Sequence, residues 1–468
     1  MDVLAALAVG LVVAGGPVAL ERVTTLDLPG LDPGGVVVNR DTHDLVIWEC
    51  ENDKVSFVEA AFNRLAGTFA FQLAEETVSS SGDTFQDCAI FYDPQSRLVH
   101  YVGQSSGTTS FSINFERVFV WSLRDRASIG AVFINPDGDT PSSAPEDFRF
   151  VINGIGFKPA GADGNANARL IIDDTIKGNL HVVDVDQFGN STAINRYSYR
   201  ARHESSCQWP DIDPGPFYSC SFDTPDGSGL ALDWGRSPDE LFMADHLFNP
   251  FLVRRFQVNG APAEAASINV FDLSGSFGTG AQSLHALPGD DRLLVLTAAE
   301  SFDEGLIIEL DTSSFGLNGI FFDFRDLRAV AVDPSDPSHF FVPVQDFEFS
   351  TSVGPLLVRE FRGQSEVASI LVNSDYDASF NDPVLAFDPD YQLLYVASED
   401  RIDVFRTGQP QGPFPNPDRD DVEAPSPVSI GSGDRFGSAV ALAGNLLAVG
   451  APNNSDGLNT GTVSIFRR

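Results

Sequence analysis

Cysteine is scarce in this chain of 468 residues, and sustained helical periodicity is missing from it. The four cysteines form no Cys-x-x-Cys pair and have no histidine at zinc-finger spacing, which argues against a cysteine-based metal site. After residue 20, no segment keeps apolar residues at a period of 3.6, so little helix is expected. Phenylalanine is plentiful at 38 residues, and the hydrophobic fraction of 43% excludes general disorder and can fill β-sheet interfaces.

Positive charge is also scarce. Lys and Arg together number 29 against 66 Asp and Glu, and the formal net charge is -37. Such a field repels phosphate backbones and anionic membrane surfaces, so we expect no nucleic-acid partner. The acidic surface could instead bind divalent cations or basic ligands, or could simply keep the protein soluble in salt.

The first residues carry the one long apolar run, from Val3 to Ala14, followed by small residues and Pro17. This run is shorter than the ~18–20 residues that span a bilayer, and it predicts a signal peptide over residues 1–20. The mature protein would then be secreted, periplasmic or cell-surface, with no membrane span. Asp2 and the absence of a basic residue before Arg22 depart from a signal peptide, so an upstream start or an edge strand remain alternatives.

In an exported chain, an even number of cysteines suggests disulfide bonds. A Cys207–Cys220 bond would close the Pro-rich and Gly-rich segment 208–219, and a Cys50–Cys88 bond would join two neighbouring repeats. In a cytosolic chain the four would be buried thiols.

A short β unit recurs along the chain, most clearly from Asp382 to Phe405, where three apolar strands are separated by two polar turns. Three units carry Asp-Pro after the first strand, because Asp can close a turn through its carboxylate while Pro stops the strand. One unit cannot bury both of its faces, so copies must stack around an axis. The landmarks of the seven units are Asn39, Asp93, Lys158, Asp233, Pro288, Asp333 and Asp388.

We therefore predict an all-β fold, a seven-bladed β-propeller over residues 21–408, with six or eight blades possible. The landmarks lie farther apart than the ~40–50 residues of a compact blade, so loops must carry insertions. Val23–Leu28 is the candidate strand that closes the ring from the N-terminal side. The repeat resembles β-propellers of the YVTN and NHL class, and this resemblance covers about Val23 to Thr407.

Residues 409–427 are rich in Pro, Gly, Asn and Asp, which predicts an extended linker. Beyond it, residues 428–468 contain Phe436-Gly437, Gly450-Ala451-Pro452 and Gly461-x-Val-x-Ile-Phe. These motifs resemble an FG-GAP repeat, the blade unit of integrin α-subunit propellers. One such unit exposes two apolar faces, so it would dock on the main propeller, pair with another chain, or precede further repeats.

The resemblance to FG-GAP repeats implies a possible calcium loop, which here is segment 453–459 with the single carboxylate of Asp456. The acidic cluster of Asp375, Asp377 and Asp382 is the best cation candidate within the propeller region. We expect no cofactor other than calcium at these positions. In so acidic a chain, such clusters also arise by chance.

Catalytic signals are few. Gly103-Gln-Ser105-Ser-Gly107 matches the nucleophile motif of hydrolases, but the residues after it alternate like a strand, whereas that motif must lead into a helix. The histidines are spread about one to a unit. Those in predicted strands (His100, His181 and His339) are expected to be packing residues.

We expect an exported, non-enzymatic β-propeller that acts as a binding, adhesion or protein-interaction module, with a protein or carbohydrate ligand on one face. The alternative is a propeller hydrolase or lactonase-like enzyme with an active site in the axial funnel. Histidines and carboxylates from at least three blades meeting at one mouth of the channel would favour the enzyme.

Overall fold

The computed structural model describes the greater part of the chain, with gaps mainly in the connections between strands. The described residues are 20–49, 54–63, 68–77, 84–106, 117–124, 126–134, 152–161, 166–174, 179–198, 231–234, 240–244, 252–257, 263–269, 279–287, 291–299, 305–324, 329–345, 353–377, 383–408, 410, 439–443, 446–451 and 462–467.

The regular elements in these ranges are all β-strands, which form seven four-stranded sheets and one three-stranded sheet. Six of the four-stranded sheets, blades 1 to 6, each contain four consecutive strands paired in antiparallel order. The seventh, the closing blade, combines β26, β27 and β28 with the N-terminal strand β1. This confirms the predicted all-β propeller fold, and each of the seven sheets contains one of the recurring units.

The strand bounds follow the chain. Blades 1 to 3 consist of β2 (Gly35–Asn39), β3 (Asp44–Glu49), β4 (Lys54–Asn63), β5 (Thr68–Thr77), β6 (Thr84–Asp93), β7 (Leu98–Ser106), β8 (Arg117–Arg124), β9 (Ala127–Ile134), β10 (Ile152–Lys158), β11 (Ala168–Asp174), β12 (Asn179–Val185) and β13 (Ser191–Ser198). Blades 4 and 5 consist of β14 (Ala231–Trp234), β15 (Glu240–Ala244), β16 (Leu252–Gln257), β17 (Ala263–Asn269), β18 (Thr279–Ala286), β19 (Arg292–Ala299), β20 (Gly305–Asp311) and β21 (Gly316–Phe324).

Blade 6 consists of β22 (Ala331–Val332), β23 (His339–Gln345), β24 (Val353–Arg362) and β25 (Ser365–Asp377). The closing blade consists of β26 (Val384–Asp388), β27 (Leu393–Ser398), β28 (Arg401–Arg406) and β1 (Glu21–Asp27). The three-stranded sheet near the C-terminus consists of β29 (Ala439–Ala443), β30 (Leu446–Ala451) and β31 (Thr462–Arg467).

Apolar clusters between neighbouring blades hold the ring together. Leu45 and Ile47 of blade 1 pack with Tyr395 and Val404 of the closing blade, and similar clusters join blades 1 and 2, 2 and 3, 4 and 5, 5 and 6, and 6 and the closing blade. The inner strand β10 of blade 3 lies against β14 of blade 4. The second strand of a blade is covered on both faces, which is why it reads as a continuous apolar run.

The ring closes through the N-terminal strand, as predicted. β1 pairs antiparallel with β28, from Glu21 opposite Arg406 to Asp27 opposite Arg401. Arg22 pairs with the buried carboxylate of Asp403 and also donates to the carbonyl oxygens of Leu371 (2.8 Å) and Val372 (2.7 Å) in blade 6. One arginine therefore joins the N-terminal strand to two blades.

The strand order gives the ring two different faces. Connections from the first to the second strand and from the third to the fourth strand of each blade lie on one face, which we name the turn face. Connections from the second to the third strand, and from each blade to the next, lie on the opposite loop face. The longest gaps between strands on the loop face are residues 135–151 and 199–230. Among the described residues, we find no helix with the length and apolarity to cross a membrane.

Candidate functional site

A common turn ends the first strand of several blades on the turn face. Its first residue is a buried Asn or Asp whose side-chain oxygen accepts hydrogen bonds from backbone N–H groups of the turn. In the closing blade, Oδ1 of Asp388 accepts from the N–H groups of Asp390 (2.9 Å) and Tyr391 (3.0 Å). The fifth residue has a positive φ, with values of 57° at His43, 59° at Arg97 and 54° at Gln392. The predicted turn-closing role of the carboxylate is confirmed at Asp388.

Ring closure brings together a histidine and carboxylates from the two ends of the propeller. Nδ1 of His43 in blade 1 donates to Oδ2 of Asp388 in the closing blade at 2.8 Å, and neither side chain is exposed. The ring of Tyr391 stacks on the imidazole of His43 with 3.9 Å between ring centroids. One ligand atom each from His43, Asp388 and Asp390 lie within 4.8 Å of one another. We name these three residues the closure cluster.

Similar turns are linked from blade to blade. Arg40 of blade 1 pairs with Asp390 of the closing blade at 3.5 Å, and Arg97 of blade 2 pairs with Asp41 of blade 1 at 3.6 Å. The N–H of Ala160 in blade 3 donates to Oδ1 of Asp93 in blade 2 at 3.2 Å. On the turn face, polar contacts thus link the turns of the closing blade and of blades 1, 2 and 3, each to the next.

His100, in the second strand of blade 2, is 1% exposed. Its Nδ1 pairs with the hydroxyl of Ser122 at 2.6 Å, and its ring lies 5.7 Å from that of Phe157 in blade 3. Burial disfavours the charged ring and lowers the pKa of His100 to about 4, although the charge of Asp93 opposes the shift. The imidazole is therefore neutral at neutral pH.

His339, at the start of the second strand of blade 6, has the opposite surroundings. Its Nε2 lies 2.9 Å from Oε1 of Glu360 and its Nδ1 lies 3.3 Å from Oδ2 of Asp333. Burial by itself would lower the pKa of His339, but the hydrogen bonds to Asp333 and Glu360 outweigh it and raise the pKa. Both neighbours are carboxylates that accept, so the ring is an imidazolium that donates through both nitrogens.

His100 and His339 thus bond to their surroundings within the fold, as expected for strand histidines. His181 is fully buried in β12, and His285 is half-buried in β18. His203 and His246 lie outside the described residues. In the described part of the chain, the closure cluster is the group of at least three His, Cys, Asp or Glu side chains within metal-binding distance, and it draws on two blades rather than three.

Of the candidate calcium residues, the structure describes the side chain of Asp375 alone. Asp375 is exposed in β25, where its carboxylate accepts from the hydroxyl of Ser374 at 3.0 Å. Asp377 ends the same strand, and Asp382 and Asp456 lie outside the described residues. Calcium binding at these positions stays a prediction.

Ser105 lies in strand β7, not at the start of a helix, so its backbone is not that of a nucleophile elbow. The segment from Lys54 to Asn63 is likewise a strand. Cys88 lies in β6, while the other three cysteines lie outside the described residues. No disulfide bond occurs in the part of the chain that the structure describes, and the two predicted pairs stay predictions.

Sequence reasoning missed the closure cluster. His43 and Asp388 are separated by almost the whole propeller in sequence, and no local spacing connects them. The signal that could have found them is the turn itself. Asn39 to His43 aligns with Asp388 to Gln392, and ring closure makes these two turns neighbours.

The comparisons with known proteins support the repeat character of the chain. Residues 430–466 match the family model of the FG-GAP repeat, which confirms the resemblance predicted for the C-terminal unit. The described strands β29 and β30 lie within this match, and β31 lies within it except for its last residue, Arg467. Among curated proteins, no sequence matches the chain.

Solved structures of similar fold have little sequence in common with this chain. The structure of BBS1N in complex with ARL6DN is 11% identical, has a TM-score of 0.51, and the match covers 84% of this chain and 98% of that one. A structure of the Dos1 propeller is also 11% identical, has a TM-score of 0.45, and the match covers 84% of this chain and 97% of that one. At this level of identity, the similarity concerns the fold alone.

Proposed function

We propose that this chain is a protein-interaction module that holds a basic partner segment on the loop face of its propeller. The observation that carries the proposal is the difference between the two faces. On the turn face, tight turns use their polar groups to bond to one another, while the loop face has the long connections 135–151 and 199–230. Long connections on a rigid scaffold are where binding residues concentrate.

The charge of the chain supports a basic partner. A net charge of -37 attracts Lys-rich and Arg-rich segments from solution and repels acidic ones. Attraction of this kind speeds encounter and selects the sign of the partner, whereas apolar contacts supply most of the affinity. The similar BBS1N structure is itself in complex with another protein, which is compatible with an interaction role for this fold.

The described histidines and carboxylates support binding over hydrolysis. His100 and His339 are buried and bonded within their own blades, and His43 and Asp388 of the closure cluster are buried between two blades on the turn face, with Asp390 part-exposed beside them. A hydrolytic site needs an acid and a base that reach the substrate. In the described residues, these groups serve the fold.

A selection experiment tests the proposal. The full chain is immobilised and exposed to a displayed library of random peptides at physiological salt, with counter-selection on an unrelated acidic protein of similar charge. We expect enrichment of peptides that combine Lys or Arg with apolar residues and that the acidic control does not retain. The interaction module would be contradicted if no peptide were enriched beyond the control and the chain hydrolysed aryl esters or lactones above the blank rate. The enzyme would then be the favoured function.

The proposal also places the protein outside the cytoplasm. The apolar run Val3–Ala14 and the even number of cysteines support export, with adhesion as one use of a surface-exposed module. Leu20, the last residue of the predicted signal peptide 1–20, is buried at 8% exposure in the core between blade 6 and the closing blade, which favours cleavage just before it. N-terminal sequencing of the protein recovered from the source cells should find a start near Leu20, whereas an intact Met1 would contradict export by cleavage.

A further inference from the structure

The closure cluster has the donor set of a metal site. His43 and Asp388 are 0% exposed, and the carboxylate of Asp390 is 30% exposed beside them. One ligand atom of each lies within 4.8 Å of the others. Two carboxylates and an imidazole are ligands that Zn²⁺ takes in proteins, at ~2.0–2.2 Å from the metal.

A fourth polar group lies near Asp388 of the closure cluster. Tyr395 is fully buried in β27 on the side that packs against blade 1, and its hydroxyl has no hydrogen-bond partner among the described residues. Burial raises the pKa of this phenol well above its ordinary value, and the charges of Asp388 and then Asp44 raise it further, so both carboxylates lie near it. A buried hydroxyl without a partner calls for a ligand, an ion or a water molecule.

The same turn in other blades shows what is particular here. In blade 2, the oxygens of Asp93 accept from N–H groups of Gln95 (3.2 Å) and Ala160 (3.2 Å) and from the side chain of Ser96. In blade 6, those of Asp333 accept from Ser335 and His339. At Asp388, by contrast, a histidine from the next blade and the second carboxylate of Asp390 face one oxygen.

We propose that His43, Asp388 and Asp390 bind a zinc ion that joins the closing blade to blade 1. The ion replaces the proton that Nδ1 of His43 donates to Asp388, and that proton is released to solvent. In a tetrahedral site, two ligand atoms lie roughly 3.3 Å apart, so the 2.8 Å pair opens by a few tenths of an ångström. The ion stabilises the contact between the closing blade and blade 1, where the two ends of the propeller meet.

Blade 1 offers a matched control. Asp41 occupies the same turn position as Asp390, its side chain is also 30% exposed, and it pairs with Arg97 at 3.6 Å as Asp390 pairs with Arg40 at 3.5 Å. Its turn begins with Asn39 instead of an aspartate, and the next blade supplies Arg97 instead of a histidine. The two aspartates thus share geometry and charge, while the other two ligands are missing at Asp41.

The test compares the wild-type chain, Asp390→Asn and Asp41→Asn. Each protein is stripped with EDTA, loaded with Zn²⁺, dialysed, and measured for bound metal and for Tm. We expect the wild type and Asp41→Asn to retain one zinc ion per chain and to gain at least about 2 °C in Tm at a zinc concentration far above the dissociation constant. Asp390→Asn should fold, because its backbone N–H still donates to Asp388, but should retain less than a tenth of the metal.

Three outcomes would overturn the proposal. In the first outcome, the wild type retains no zinc, and the His43–Asp388 hydrogen bond joins the two blades without a metal ion. In the second outcome, the wild type binds several equivalents of zinc without a change in Tm, and the acidic surface of the protein holds the ions. In the third outcome, Asp41→Asn and Asp390→Asn lose equal amounts of bound zinc, and the zinc site is not the closure cluster. A His43→Gln variant with wild-type Tm and wild-type zinc retention would contradict the histidine ligand.

Discussion

Blades 2 and 6 carry the same sequence feature, an Asp-Pro turn followed by a histidine in the second strand, and the structure gives the two histidines opposite chemistry. In blade 2, His100 meets the hydroxyl of Ser122 and the pKa of its ring falls to about 4. In blade 6, His339 lies between Asp333 and Glu360 and the pKa of its ring rises. Both rings are 1% exposed, so burial alone does not decide the sign.

The difference shows which properties a repeat transmits. The turn depends on residues a few positions apart, so it recurs wherever Asp and Pro recur. The charge state of a buried histidine also depends on a residue one strand away: Glu360 in β24 gives His339 a second carboxylate beside Asp333, whereas Ser122 in β8 gives His100 a hydroxyl without charge, so that burial dominates. The repeats therefore share the structure of the turn, whereas the pKa of the histidine in the second strand differs between blades 2 and 6.

The largest effect that separates the two blades is expected from the turn aspartates. Asp93→Ala leaves N–H groups of Gln95, Ser96 and Ala160 without their acceptor, the last of them in blade 3. We expect a loss of about 3 kcal/mol in the free energy of unfolding, since the buried N–H of Ala160 costs about 1–3 kcal/mol when unsatisfied and the part-buried N–H groups of Gln95 and Ser96 add a smaller amount. Urea denaturation at alkaline pH, where the imidazolium of His339 no longer contributes, should find a smaller loss for Asp333→Ala, whose acceptor then serves groups of its own blade such as Ser335. Equal losses would contradict the inter-blade role of Asp93.

Acid titration is expected to single out blade 2. The native ring of His100 stays neutral down to about pH 4, whereas an unfolded histidine takes up a proton near 6.5. The unfolded state therefore binds more protons between these values, and stability falls as the pH falls through this window, by up to about 3 kcal/mol. His100→Asn keeps a donor near Ser122 without titrating, so the stability of the wild type relative to the variant should fall by up to about 3 kcal/mol from neutral pH to the acid end. A constant difference across the window would contradict a lowered pKa.

Blade 6 is expected to respond in the opposite direction and by less. The raised pKa of His339 gives a stabilising contribution that is complete below the unfolded value of 6.5 and is lost as the pH rises through the folded value. This contribution comes from the charged hydrogen bonds to Asp333 and Glu360. His339→Gln should therefore approach the wild-type stability in alkali. If the variant approached the wild type in acid instead, the imidazolium assignment would be wrong.

The smallest stability effect is expected on the loop face. Replacing 107–116 in blade 2 or 346–352 in blade 6 with Gly and Ser of equal length should change the free energy of unfolding by about 0.5 kcal/mol or less. The same replacements should reduce binding of peptides selected on the wild type if these segments contribute to the ligand surface. A large stability loss in either blade would show that the connection belongs to the core.

Much of the fold could be predicted because its determinants are local. Asp-Pro after a β-branched run marked the turns at Asp93, Asp333 and Asp388, and an apolar strand after the turn marked the buried second strand. The closing strand was predictable because a ring needs one, and the apolar residues after Glu21 supplied it. The positive φ of His43, Arg97 and Gln392 was not, because no glycine marks that position.

The closure cluster could not be predicted from spacing. The sequence pointed to Asp375, Asp377 and Asp382 because they are close along the chain, and of these the structure describes only the side chain of Asp375, which is exposed. His43 and Asp388 meet because the ring closes with a particular register between β1 and β28. Such a pair becomes visible once blade 1 and the closing blade are known to be neighbours.

Hydrogen exchange of the full chain with and without a selected basic peptide tests the interaction module most directly. The account predicts that the peptide slows exchange in loop-face connections such as 107–116, 135–151 and 199–230. Exchange in the turns 39–43, 93–97 and 388–392 should stay unchanged, because their polar groups are already bonded to one another. Protection confined to these turns, with the loop-face connections unaffected, would contradict it.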